Sequence, residues 1–224
     1  MFEGFSEQTI DFLWGIRLNN DRSWFMEHKS VYQKELYEPM KALGAELAEE
    51  MEWLYPGEGL RLKVSRIYRD VRRVKYGGLY KDHLWLSLRV PTEGNIPPKP
   101  TFYFELSPEG YEYGMGYFCA RPVDMEQFRR RVLRDPKSLE TLARKLSRQD
   151  RFHLEGQEYK RSKGTVEPLL QSWFDRKSVS LVSFHQPNEK LTTPELKNEI
   201  LDGFRWLKPY FNYFKAMEQE PPVL

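Results

Sequence analysis

The 224-residue chain has a single cysteine, Cys119, so no internal disulfide can form and the fold must rest on its core. Cys119 has Arg121 nearby but follows an apolar run, where a cysteine acts as a small hydrophobe. The histidines, His28, His83, His153 and His185, lie far apart, without cysteine pairs or a His-x-x-x-His spacing, which argues against a zinc site. Gly-x-Ser-x-Gly, a Walker loop and Gly-x-Gly-x-x-Gly are all absent, and Gly114-Met115-Gly116 falls within a strand-like run instead of ahead of a helix. Serine hydrolase, P-loop NTPase and Rossmann oxidoreductase chemistry are therefore disfavoured, and no cofactor or metal is expected. No apolar run reaches membrane-spanning length, and MFEGFSEQTIDFLWG lacks a basic region followed by an apolar one, so neither a membrane segment nor a signal peptide is read. The expected address is the cytoplasm. A charge excess is missing too: 35 Lys and Arg face 33 Asp and Glu, a net +2, so only local clustering can select a charged partner.

What is present suits a folded, water-soluble protein. Hydrophobic residues make up 40%, of which many are aromatic, while mean hydropathy is −0.71, so a substantial core must sit beneath a charged surface. Ser6 can cap a first helix carrying Ile10, Leu13 and Trp14 and ending near Leu18. Asn19-Asn20-Asp21 reads as the turn to a second helix, on which Phe25, Tyr32, Leu36, Met40, Leu43, Leu47 and Met51 form one stripe. Pro39 should kink or split that helix. The texture then turns to strands: Leu62–Tyr68, Leu84–Val90, Thr101–Leu106 and Tyr111–Phe118, the last two joined by a Ser-Pro-Glu-Gly hairpin turn. PTEGNIPPKP between two of them reads as an exposed loop.

Helices are expected from Asp124 to Arg134, Pro136 to Arg148 and Val166 to Asp175, then a strand over Ser178–His185. A last helix from Thr193-Pro194-Glu195 has Leu196, Ile200, Phe204, Leu207 and Phe211 on its apolar face. The absence of βαβ alternation predicts one α+β domain, residues 1–224, with a mostly antiparallel sheet covered by the long N-terminal and C-terminal helices.

Basic residues gather in RIYRDVRRVKYGGLYKDH, residues 66–83. If the start is extended, Arg66, Tyr68, Asp70 and Arg72 share one face, with Ile67 and Arg69 on the other. Asp70 would then orient guanidinium groups that keep donors free for an oxyanion, while Gly77-Gly78, Lys75, Tyr80 and Lys81 add backbone and side-chain donors. The simpler reading is a solvated hairpin whose exposed ion pairs contribute under about 1 kcal/mol each.

The pieces LNNDRSWFMEHKSVY, RIYRDVRRVKYGGLYK and YKRSKGTVEPLL, in that order, resemble a widespread bacterial and fungal family of uncharacterised conserved proteins over nearly the whole chain. The resemblance implicates Asn19, Asn20, Trp24, Phe25, Arg66, Arg69, Asp70, Arg72, Lys75, Tyr80, Lys81, Lys160, Arg161, Lys163 and Gly164. It also implies that the two basic motifs line one groove, so that Arg66→Ala and Lys160→Ala would each weaken the same anion. Where the family pattern has Asp-Lys after Lys75 this chain has Tyr76-Gly77, and Leu79 replaces the proline before Tyr80. If that aspartate were a catalytic acid or base, this chain would keep binding and lose catalysis.

Two functional expectations follow. The first is a binding module for a phosphate-bearing small molecule or another anion, nucleic acid included, held by Arg66, Arg69, Arg72, Lys75 and Lys81. The second is an enzyme on a phosphorylated or carboxylated substrate, with Asp70 or Tyr80 as acid or base. A purely structural cluster at the sheet edge is the third possibility for the same residues.

Overall fold

The computed structural model describes residues 1–70, 78–91, 100–117 and 120–219. Arg72, Lys75, Gly77, Cys119 and most of the PTEGNIPPKP loop lie outside them. The described helices are α1 (Glu7–Leu18), α2 (Arg22–Val31), α3 (Glu38–Leu54), α4 (Pro122–Arg134), α5 (Pro136–Leu146), α6 (Pro168–Phe174) and α7 (Glu195–Lys215). The strands are β1 (Arg61–Val64), β2 (Leu84–Arg89), β3 (Thr101–Ser107), β4 (Gly110–Gly116), β5 (His153–Glu155) and β6 (Ser180–His185). They form one antiparallel sheet in the order β1-β2-β3-β4-β6-β5, an α+β fold. The chain divides into two compact units: residues 1–88, 103–113 and 184–202, and residues 89–102, 114–183 and 203–224. No described helix is long and apolar enough to cross a membrane.

The first unit is assembled on the predicted stripe, since Phe25, Tyr32, Leu36, Met40, Leu43, Leu47 and Met51 are all buried. Each such side chain contributes about 1.5–3 kcal/mol by leaving water. Pro39 neither breaks the helical path nor sits in mid-helix. Tyr32–Tyr37 forms a π-helical turn between α2 and α3, and Pro39 falls in the first turn of α3. Proline has no N–H for the Glu35 carbonyl, and the buried Thr9 of α1 donates to that oxygen instead, at 2.6 Å. Leu84, Leu86, Phe104, Leu106, Tyr111 and Tyr113 alternate onto the buried side of their strands, with Phe5 stacked on Phe104 and Gly44 of α3 against Leu62 and Leu86. The intervening Trp85, Glu105 and Glu112 keep partial exposure.

In the second unit, Phe204 and Phe211 of α7 pack on Phe102 of β3, and Tyr210 reaches the Leu142 carbonyl of α5 at 2.9 Å. Asp124 does not cap α4 from outside. It sits inside the first turn and accepts from the Arg121 N–H at 2.7 Å, so the helix begins at Pro122. β5, three residues paired antiparallel with β6 (His153 opposite Val182), is too short for alternation to reveal. The expected strand from Leu62 to Tyr68 stops at Val64, after which only an isolated antiparallel bridge joins Tyr68 to Tyr80.

Candidate functional site

The Asn19-Asn20-Asp21 turn does more than end one helix and start another. Asp21 caps α2 by accepting from the Trp24 N–H at 3.0 Å. Asn20 turns its amide the other way: its Nδ2 donates to the Tyr80 carbonyl at 3.0 Å, and its Oδ1 accepts from the Tyr80 N–H at 2.9 Å. One side chain thus satisfies both backbone groups of Tyr80, as a neighbouring strand would. Gly78 makes room for it, because a Cβ there would lie 1.9 Å from Asn20 Oδ1. Packing against Asn20 is thus reason enough for a glycine at this position. Phe25 stacks on Tyr80 at 4.3 Å, while Trp24 is half-buried and stacks on His28 at 3.9 Å.

Beyond the end of β1 the exposure pattern still matches the sequence reading up to Asp70: Arg66, Tyr68 and Asp70 are exposed and Ile67 is buried. Arg69, on the opposite face, is held internally, with Nε donating to the Tyr80 carbonyl at 2.7 Å and Nη2 lying 3.5 Å from Asp82. Asp82 is a second orienting carboxylate, one that motif reading missed. It accepts from Arg17 Nε at 2.7 Å and from His83 Nδ1 at 3.1 Å. Burial raises the Asp82 carboxyl, but the hydrogen bonds from Arg17 and His83 prevail and hold it below the ordinary range. Arg17 also forks onto Glu109 in the β3–β4 turn, one arm at 3.0 Å. Alternation around a charged stretch cannot single out one Asp next to a histidine, so nothing in the sequence marked Asp82.

Lys81 lies on the other side of this bridge. Its backbone N–H donates to the Ile67 carbonyl at 2.7 Å and its Nζ to the Arg66 carbonyl at 2.7 Å. The ammonium is 5.6 Å from the Trp85 ring centroid, and Lys63 Nζ lies at the same distance from that ring. Burial pushes Lys81 below its ordinary value, Glu105 pulls against it, and the charges of Lys63, Arg69 and Arg66 push the same way as burial. Glu105 is itself raised, first by burial and then by Glu112 and Asp82, with His83 and Lys81 opposing. Tyr80 is only 3% exposed, and burial raises its hydroxyl.

Lys160, Arg161 and Lys163 belong to the second unit and are all exposed. Here the fold grips the motif by its backbone: Asp175 Oδ1 accepts from the Lys163 N–H at 2.8 Å and the Ser162 hydroxyl at 3.0 Å, and Oδ2 from Gln171 at 2.7 Å. Burial would raise Asp175, but these donors bring it below the ordinary range. Gly164, at φ +148°, lets the loop turn in a conformation that side-chain-bearing residues avoid.

A comparison with curated proteins found no match. The family model described as Conserved hypothetical protein (DUF2461) matches residues 8–213, a span that includes Asn20, the Arg66–Lys81 stretch and the Lys160–Gly164 loop, and the chain belongs to that family.

Proposed function

We propose that the chain binds a phosphate-bearing or otherwise anionic ligand in its first unit, at the cations surrounding Lys81. One observation carries this reading: Lys81, partly buried and sharing the Trp85 ring with Lys63, has its charge disfavoured first by burial and then by Lys63, Arg69 and Arg66, with Glu105 pulling the other way. An oxyanion placed there relieves repulsion that the protein leaves standing, and like charges are otherwise costly to hold together. Arg69 contributes through Asp82, which fixes its guanidinium, while Arg66 is exposed and forms no ion pair among the described residues. Arg72 and Lys75, expected in the same set, lie outside those residues.

Nucleic acid is one form of such a ligand. Tyr68 is 55% exposed beside Phe25 and Tyr80, where an unstacked base has an aromatic edge to meet. Packing weighs against Tyr80 in the catalytic reading, since its ring is stacked on Phe25 and burial raises its hydroxyl. Asp70 is exposed and remains the carboxylate on which that reading would rest. With one cysteine in the chain, a reducing compartment suits the protein, and the cytoplasm is the proposed location.

Calorimetric titration with inorganic phosphate and with a single-stranded oligonucleotide, at two salt concentrations, tests the reading. Saturable binding that weakens with salt and falls about tenfold or more in Lys81→Met supports it. Binding that ignores both the substitution and the salt overturns it. Lys81→Met loses one hydrogen bond but also the repulsion, so the variant should fold.

A further inference from the structure

We infer that the second unit carries its own site for a phosphoryl group, built around the Tyr159 ring by Arg129, Lys163 and Lys177. Three cations from separate chain segments converge on this one ring: Arg129 Cζ lies 5.5 Å from its centroid, Lys163 Nζ 4.2 Å and Lys177 Nζ 5.6 Å. Arg129 comes from α4, Lys163 from the loop before α6, and Lys177 from the link between α6 and β6. Surface lysines alone would mean little. Arg129, however, is a buried residue, and its Nη1 has no hydrogen-bond acceptor among the described residues.

Nearby carboxylates do not fill that role. Glu126 meets Arg129 through Nε at 3.3 Å and is shared with Arg130 at 3.9 Å. Asp175 feels the Arg129 charge, but its hydrogen bonds go to the Lys163 N–H, Ser162 and Gln171. The arrangement therefore holds a spare guanidinium donor and two exposed ammonium groups, three cations set against the carboxylates of Glu126 and Asp175, which is the chemistry that receives a dianionic tetrahedral oxyanion. A carboxylate, with one charge and two oxygens, would leave part of this set unused. Reaching the buried Nη1 requires a side chain to move aside, and Lys163 is exposed on a flexible stem. Gly164 and the Asp175 clamp keep the loop backbone in place while it does so. The site shares no residue with the cluster at Lys81, so either can fail without the other.

The experiment is a titration of isotopically labelled full-length protein with inorganic phosphate, with acetate as the carboxylate control, followed at the Lys163 and Gly164 backbone amides and the Arg129 side-chain Nε. Saturable shifts are expected with phosphate and not with acetate. The double variant Lys163→Met/Lys177→Met should raise the apparent dissociation constant at least tenfold, whereas Lys63→Met/Lys81→Met should leave it unchanged. Arg129→Lys should weaken binding similarly; should it fail to fold, the exposed lysine pair still decides. Shifts linear in phosphate, shifts equal with acetate, or shifts unaltered in the Lys163/Lys177 variant each overturn the proposal. Loss of these shifts in the Lys63/Lys81 variant also overturns it, since the sites would then not be independent.

Discussion

Around Lys81, cations from neighbouring segments crowd one another beside one indole, whereas around Lys163 it is the backbone of the basic loop that the fold grips through Asp175. The contrast shows that a basic motif does not have one physical meaning. In the first region, carboxylates neutralise only some of the cations: Asp82 takes Arg17 and Arg69, and Lys81 stays crowded. In the second, Asp175 serves as an anchor for backbone and neutral donors, and the cations gather on a tyrosine. Asn20 has a place in the first region analogous to that of Asp175 in the second. Each is a polar side chain that holds main chain in position, and each can be removed to ask whether its cations need a fixed frame.

The largest effect is expected from Gly78→Ala. Its Cβ would displace Asn20, whose side chain bonds the N–H and the carbonyl of Tyr80, so unfolding in urea should show a loss of about 3 kcal/mol. Asn20→Ala should cost about 2 kcal/mol, because it removes the partner of the Tyr80 N–H and leaves the carbonyl to Arg69 alone. The double variant should lose less than the sum of the two, since both act through the same contact. Full additivity would mean that Asn20 and Gly78 are not coupled.

Asp175→Ala should cost about 1–2 kcal/mol and raise hydrogen exchange at Lys163 and Gly164, while leaving anion binding at Lys81 intact. Loss of binding at Lys81 in this variant would dissolve the contrast between the two regions. The smallest effect concerns Glu105. Its folded-state carboxyl is raised, chiefly by burial, so the stability it lends is present at low pH and is lost as pH rises through its folded value. Glu105→Gln should therefore raise the melting temperature at neutral pH, and the gain should vanish in acid, where Glu105 is protonated in both states. Asp82 has the opposite sign: lowered in the folded state, it supports stability at neutral pH and loses that support as pH falls.

Much of the fold was legible because burial imposes periodicity. The stripe from Phe25 to Met51 and the α7 face from Leu196 to Phe211 are buried as spacing predicts, and the hairpin between β3 and β4 turns at Pro108-Glu109 as its turn residues predict. Pro39 was legible as a disturbance but not as a π-turn, because the compensating donor, Thr9, lies on another helix. Alternation placed Arg66 and Arg69 on opposite faces, yet the partner that fixes Arg69 is Asp82, thirteen residues on and marked by no pattern. Arg129 and Tyr159 escaped for the same reason: cations converging on one ring come from segments that only the tertiary fold brings together.

The claim that the Lys81 cluster awaits an anion is tested most directly by titrating the Lys81 ammonium by NMR with and without saturating inorganic phosphate. Free protein should show Lys81 titrating below ordinary lysines, because burial and the neighbouring cations disfavour its charge. A bound anion favours the charged form, so phosphate should move the midpoint upward, while Lys145, whose charge is also disfavoured by burial, should stay where it is. A Lys81 midpoint unmoved by phosphate, or one that shifts only as much as that of Lys145, would contradict the account.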